Sequence, residues 1–346
     1  MFIFRESIEP KEHDEFVKNH PLCALLQSSS WASVKDNWDH AIVGVEEDGQ
    51  LVGSSLVLIK RLPWSLTMMY IPRGPIMDYE NKELVAFYLN SLKKWAKKYH
   101  CLFIKFDPGI RIREFLVKDK DKTPYQDNVQ TIIQNIEYGG GRHLGFTIDM
   151  MDTIQPRFQM GVHKCDDFSK YVQKDVRKSK NAALRKHVEV KRYGIEMVDV
   201  FSDIMHQTEV RKGVALRNRD YFKKLMEVYQ DHAYLFLCSV DPTIRGNEVK
   251  TRLQEIENEL KQDDLSLNQI DRLEIERKNL TEEWKSLDEV LQKYDSTTYI
   301  AGALMIGFGN TVEMLYAGMN EDFKSFKPQF LSHFIRFQYV FEQGYE

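Results

Sequence analysis

One order of elements occurs twice in this chain, and it constrains the fold more than any other feature. Residues 41–60, AIVGVEEDGQLVGSSLVLIK, are two β-rich runs around the polar turn EEDGQ, the signal of a β-hairpin. A third run, LTMMYIPRGPIM, follows; then come the helix-period stretch NKELVAFYLNSLKKWAKKYH and the short apolar run CLFIKFDP. The succession returns with AYLFLCSV (233–240), TYIAGALMIGF (298–308), TVEMLYAGM (311–319) and the helix-like PQFLSHFIRFQYVFEQGY. LVGSSLVLI against IAGALMIGF, and MMYIPRGPI against EMLYAGMNE, match locally as well as in order. The expectation is a mixed α/β (α+β) fold of two tandem modules, each an antiparallel hairpin followed by a helix. Chance recurrence of strand, strand and helix is the alternative.

The copies differ in two ways. The short hairpin turn of the first becomes residues 241–297 in the second. The second copy also stops at GYE where the first continues into HCLFIKFDP, so its final strand is expected to be missing and the chain to be shorter than a complete member of its kind. Within the insertion, Val249, Leu253, Ile256 and Leu260 step by 4, 3 and 4, and Ile270, Leu273, Leu280, Trp284, Leu287 and Leu291 continue a heptad seam broken once by Arg277. Two helices this close in sequence fold back, which predicts an antiparallel coiled-coil arm projecting from the globular body. The expected division is 1–150 for the first module, 151–240 with 298–346 for the second, and 241–297 for the arm.

Hydrophobic residues are 42% of the chain and aromatics 12%, enough for a substantial core and too much for global disorder. The opening MFIFRESIEPKEHDEF lacks the basic and apolar regions of a secretory signal, and no apolar run approaches the ~18 residues of a membrane span. Cys23, Cys101, Cys165 and Cys238 are far apart and read as reduced thiols of a cytoplasmic protein. Neither HExxH nor another paired metal spacing occurs, so no metal and no cofactor is expected. GxxxxGK[ST] and GxSxG are absent too, and GGGRH (139–143) lacks the strand–loop–helix setting of a dinucleotide fingerprint.

A formal net charge of −4 means that any surface for a polyanion must be local. Residues 175–194, DVRKSKNAALRKHVEVKRYG, hold seven lysines and arginines against two acids. Phe168, Tyr171, Val172, Val176, Ala183 and Leu184 fall at mostly helical spacing with the basic residues on other faces, and VEVKRYGIEMVDV then reads as a strand. A solvated amphipathic helix is the plain reading. Three arginines among the seven favour a phosphate-bearing ligand, whether a diphosphate, coenzyme A or an RNA backbone. Arg177, Lys178 and Arg185 are the candidates to meet it, and the charge pattern leaves all three ligands open. Arg73, in a rigid Pro-Arg-Gly-Pro strand end, is presented at a module edge as a substrate-binding group or as half of a structural salt bridge.

LLQSSSWASVKDNW, YIPRGPIMD, TIQPRF, VRKSKNAALRKHVEV, TEVRKGVALRNRDYF and the late coiled-coil arm together resemble the Fem (FemABX, MurM-type) peptidyltransferases over almost the whole chain, in the family's order. The resemblance implies two acetyltransferase-like (GNAT) modules and an arm like the tRNA-binding arm of seryl-tRNA synthetase. It implies transfer of an amino acid from aminoacyl-tRNA to the stem peptide of a muramyl-pentapeptide precursor, UDP- or lipid-linked, building the interpeptide bridge. A lipid-linked acceptor would bring the protein into peripheral contact with the cytoplasmic face of the membrane. By the same resemblance Lys35 and the pair Arg217 and Tyr221 bind the precursor, Asp107 is a candidate catalytic base, and Lys324 or Lys327 meets the acceptor end of the tRNA. FLSHF stands where the family has a YALQW-like sequence, so the alignment around these lysines is loose. An acyl-CoA-dependent GNAT enzyme and a non-enzymatic tRNA-binding scaffold are the alternatives. An aminoacyl ester is already an activated acyl donor, so the expected chemistry is direct aminolysis, driven by proximity and oxyanion stabilisation.

Overall fold

The computed structural model describes residues 1–147, 149, 154–165 and 167–346. The boundary expected at 150/151 and the first residue of TIQPRF, Thr153, lie outside the described residues. The chain divides into two compact units, Met1–Val162 with Gly307–Thr311, and His163–Ile306 with Val312–Glu346.

The first unit runs β1 (Phe2–Arg5), α1 (Pro10–Lys18), α2 (Trp31–Val34), β2 (Asp39–Glu47), β3 (Gln50–Arg61), β4 (Thr67–Arg73), β5 (Ile76–Met77), α3 (Lys82–Ala96), β6 (Cys101–Pro108) and α4 (Val129–Tyr138). Its sheet has the order β1-β2-β3-β4-β6, with β5 paired to β3. Every described pairing is antiparallel except that of β4 with β6, which α3 joins as a crossover helix. The Asn81 side chain accepts the Leu84 N–H and so starts α3; two lysines favour its C-terminal turn. Leu84, Val85, Tyr88, Leu92 and Trp95 then line one face and pack on Val43, Val57, Ile59 and Ile71 of the sheet.

The second unit contributes α5 (Phe168–Tyr171), α6 (Lys174–Arg185), β7 (Glu189–Tyr193), α7 (Val198–Lys212), α8 (Arg219–Tyr229), β8 (Ala233–Val240), α9 (Pro242–Glu259), α10 (Leu267–Leu291), β9 (Thr298–Phe308), β10 (Thr311–Met319) and α11 (Pro328–Glu342). The sheet order is β10-β9-β8-β7. The strand expected over 188–200 stops at Tyr193. Gly194 donates its N–H to the Glu196 carboxylate at 2.9 Å, and the chain turns into α7, whose Val198, Phe201, Ile204 and Met205 are buried at helical spacing. The basic helix is likewise two pieces, α5 and α6, with Phe168 edge-on to Phe334 and Phe337 of α11.

The helices α9 and α10 lie between β8 and β9. Their half nearest the sheet is part of the core: Val249, Leu287 and Val290 are buried with Val188, Cys238, Ile300, Phe323 and Phe326. Projection from the body, as the heptads suggest, therefore describes only the far half. Two arginine forks join the helices. Arg245 donates Nε and Nη2 to Glu283 at 3.0 and 2.9 Å, and Arg252 does the same to Glu276 at 2.8 and 3.0 Å. Glu283 also meets the Lys186 ammonium at 3.4 Å, tying the arm's root to α6. The Arg245 and Glu283 side chains are 19% and 20% exposed, against 34% and 43% for Arg252 and Glu276, so the root pair is less screened. Arg245→Ala should lower unfolding stability by about 2 kcal/mol and Arg252→Ala by no more than about 1 kcal/mol, read by chemical denaturation.

Candidate functional site

Asp107 ends β6 opposite Pro72 of β4. Its Oδ1 accepts the Arg73 backbone N–H at 2.8 Å, and its Oδ2 accepts the Tyr70 hydroxyl at 2.8 Å. Burial pushes the carboxyl above its ordinary range, against the opposing pull of these two hydrogen bonds and of the Arg73 and Lys105 charges. The Tyr70 hydroxyl is driven well above the usual phenol range by burial and by Asp107. Arg73 itself is left-handed, with φ 53°, and its guanidinium turns away from the carboxylate to donate to the Pro156 carbonyl at 2.8 Å. Of the two readings of Arg73, then, the structure has neither a side-chain salt bridge to Asp107 nor an unengaged head. The Gln155 side chain is near enough to Tyr70 to pull its pKa down against burial and Asp107, so residues 155 and 156 both lie beside this corner.

A residue that the motif search passed over holds this corner. Pairing of β3 with β4 ends at Leu58–Tyr70, and β3 continues with β5 from Ser54. The fully buried Gln27 fills the gap. Its Oε1 accepts the Leu56 N–H at 2.9 Å, and its Nε2 donates to the Pro72 carbonyl at 2.7 Å and the Leu56 carbonyl at 3.3 Å. The amide thus replaces a missing rung of the ladder. A Cβ on Gly74 would stand 2.7 Å from Gln27 Cδ, so only glycine lets the turn close onto this side chain. His13, buried and with its pKa lowered by desolvation, is neutral; one ring nitrogen meets the Gln27 carbonyl and the other Ser54 Oγ, both at 2.6 Å. In the sequence the only sign of this is a glutamine within the apolar run CALLQSSSW.

Lys35 sits after α2, its ammonium 5.5 Å from the Trp31 ring centroid. In the second unit Asn218 caps α8 by accepting the Tyr221 N–H, which brings the Arg217 guanidinium over the Tyr221 ring at 5.0 Å. Tyr221 is edge-on to Tyr316 at 6.0 Å, and burial followed by Tyr316 raises its hydroxyl far above the usual range. So the structure brings together Arg73 with Asp107, and Arg217 with Tyr221.

Lys324 is exposed and paired with Glu321 at 3.2 Å. Lys327 caps α11 from a left-handed conformation and lies near enough to Lys186 to help lower its pKa, after burial as the main cause. Arg177, Lys178 and Arg185 are exposed on α6, with Lys178 3.8 Å from Asp175. Among the described residues no group of histidine, cysteine or acidic side chains is placed to hold a metal.

Truncating Gln27 leaves the buried Leu56 and Pro72 backbone groups without partners and frees the Arg73 turn. Gln27→Ala should lower unfolding stability by about 3 kcal/mol, measured by urea denaturation, while the exposed control Gln50→Ala changes it by less than about 0.5 kcal/mol.

Comparison with known proteins identifies the family. A profile described as the FemAB family matches residues 8–346. A lipid II:glycine glycyltransferase of Staphylococcus epidermidis is 30% identical over 98% of this chain and 82% of its own length. One from Staphylococcus aureus is 28% identical over 97% of this chain and 82% of its own. A crystal structure of FemX superposes with a TM-score of 0.73 at 27% identity, covering 100% of this chain and 87% of that one. With a family match spanning residues 8–346 and a relative 30% identical over 98% of this chain, this chain belongs to the FemAB family.

Proposed function

We propose that the protein transfers an amino acid from aminoacyl-tRNA to the stem peptide of a peptidoglycan precursor, building the interpeptide bridge. The observation that carries this is the extent of the family match, residues 8–346, together with relatives named for glycyl transfer to lipid II. Those names favour a lipid-linked muramyl pentapeptide as the first acceptor to try and glycine as the first donor.

The reaction is aminolysis of an ester. The acceptor amine attacks the aminoacyl carbonyl carbon, a tetrahedral oxyanion forms, and the ribose hydroxyl leaves as the new amide forms. The attacking ammonium must first lose a proton, and the ribose oxygen must gain one. Asp107 is the group we assign to the first transfer. Each of its oxygens accepts one hydrogen bond from the protein, which leaves lone pairs for a substrate N–H. Tyr70 and the Arg73 backbone keep the carboxylate oriented, and Arg73 anchors the covering segment at Pro156. We assign Lys35, Arg217 and Tyr221 to the precursor, with Arg217 able to fork onto a phosphate while its plane stays stacked on Tyr221. Lys324, Lys327, Arg177, Lys178 and Arg185 are assigned to the tRNA, whose backbone calls for dispersed, exposed cations of this kind. Among the described residues no helix is long and apolar enough to cross a membrane, so a lipid-linked acceptor requires the protein to work from the surface of the bilayer.

Incubation with labelled glycyl-, alanyl- and seryl-tRNA and a lysine-containing muramyl pentapeptide, in UDP- and lipid-linked forms, tests the reading. Label should move to the pentapeptide from at least one donor; transfer from none would refute it. Lys35→Ala and Arg217→Ala should each raise the precursor KM about tenfold with little change in kcat, the mark of lost binding. The pH profile tests Asp107. Because burial raises its pKa, kcat/KM should climb with pH on a limb above the ordinary carboxylate range. Tyr70→Phe removes a bond to the charged form and should move that limb to higher pH, whereas Asp107→Asn should abolish it.

A further inference from the structure

The β3–β4 hairpin ends in Leu62-Pro63-Trp64-Ser65-Leu66, and the Trp64 side chain stands 90% exposed. Trp64 and Ser65 both have left-handed backbones, φ 61° and 58°. A bulky aromatic in that conformation is strained, and here its ring gains no burial in return. The hairpin lies beside the start of β6: Thr67 donates its N–H to the His100 carbonyl at 3.2 Å and its hydroxyl to the Tyr99 carbonyl at 2.8 Å. There β6 bulges, because Thr67 pairs with Cys101 but Met69 with Ile104. The extra residue turns the neighbours Leu102 and Phe103 outward together, 58% and 51% exposed, where alternation would have buried one of them. Hairpin tip and bulge thus display an indole, a leucine and a phenylalanine at one end of the sheet.

The two segments that form this edge carry charge of one sign. Neither 60–77 nor 91–106 contains an acid, and together the two segments carry Lys60, Arg61, Arg73, Lys93, Lys94, Lys97, Lys98 and Lys105. Two of these cations meet carboxylates from elsewhere, Arg61 with Asp39 at 2.6 Å and Lys98 with Glu6 at 2.5 Å; Lys93, Lys94 and Lys97 are exposed on the last turns before β6. Exposed tryptophan and aliphatic side chains ringed by lysine suit the boundary between lipid headgroups and acyl chains. An RNA backbone would use the lysines but offers Leu102 and Phe103 nothing.

We infer that the tip of the β3–β4 hairpin and the β6 bulge form a docking surface for an anionic phospholipid bilayer, Trp64, Leu102 and Phe103 entering the interface while Lys93, Lys94 and Lys97 lie over the headgroups. This rests on the proposed lipid-linked acceptor only for its purpose; binding itself needs no transfer reaction.

The test uses the full chain and sucrose-loaded vesicles of phosphatidylcholine with about a third phosphatidylglycerol, which supplies the negative surface potential that attracts lysines. The protein should co-sediment with these and far less with pure phosphatidylcholine, and tryptophan emission should shift to the blue, since Trp31 and Trp95 are already buried. Trp64→Ser, and separately the double variant Leu102→Ser/Phe103→Ser, should weaken vesicle binding about tenfold, and Lys93→Glu/Lys97→Glu by at least as much. Far-UV circular dichroism checks that each variant keeps its fold. Trp64→Ser should keep its transfer rate on the water-soluble UDP-linked acceptor while losing rate on an acceptor embedded in vesicles. Absence of anionic-vesicle binding by the unaltered protein, or unchanged binding by the Trp64 variant, would overturn the inference even if transfer is intact. So would a tRNA affinity that falls with Trp64→Ser while vesicle binding does not. Vesicle binding lost in these variants, in a protein that transfers nothing, would uphold the docking surface and refute the proposed reaction alone.

Discussion

Two neighbouring strands of the first sheet part company, and the side chain of Gln27 stands in the gap. Without it, the Leu56 amide and the Leu56 and Pro72 carbonyls would be buried with no partner, a penalty of about 1–3 kcal/mol for each group. With it, the Pro72–Arg73 peptide is held at the end of β4, and the Arg73 N–H of that peptide reaches Asp107. The carboxylate is therefore placed by backbone geometry, which a glutamine sets from behind. The neutral His13 fixes the Gln27 backbone in turn, so the chain of dependence runs from a buried histidine in α1 to the strand end that carries the candidate base.

The second unit solves a different problem, that of attaching a long polar arm to a small sheet. Hydrophobic burial of Val249, Leu287 and Val290 supplies the adhesion, and the cluster of Glu283 with Arg245 and Lys186 supplies the orientation. Burial alone would let two heptad helices slide by a turn; a bidentate fork on a half-buried carboxylate does not permit it. The direction of the Lys186 shift fits this account. Desolvation lowers its pKa, and the attraction of Glu283 opposes that shift.

Period and order made much of this legible in the sequence. The hairpins, the helix α3, the strand β6 and the paired arm helices follow from alternation, heptads and turn residues, whereas the parallel pairing of β6 with β4 does not. The strand expected through 188–200 failed because Val190 and Val198 look alike to a pattern search, whereas the Gly194–Glu196 hydrogen bond that breaks the strand is not periodic. For the site, the sequence carried residue types and motif order. It said nothing of Gln27, whose role depends on two strands diverging 29 and 45 positions away. Nor did it say that Arg73 would reach Pro156 with its side chain and Asp107 with its backbone. Contacts between segments far apart in sequence leave no local trace.

The arm enters the chain between β8 and β9, the two middle strands of the second sheet. Because its inner half fills that unit's core, it is less an appendage than a beam built into a wall. Pruning 241–297 to a tight turn would leave a hole where Val249, Leu287 and Val290 had been, and the sheet would lose its filling along with its reach. Conversely, any load taken up at the far turn reaches the two strands at the sheet's centre through the half of the arm that is packed into the core.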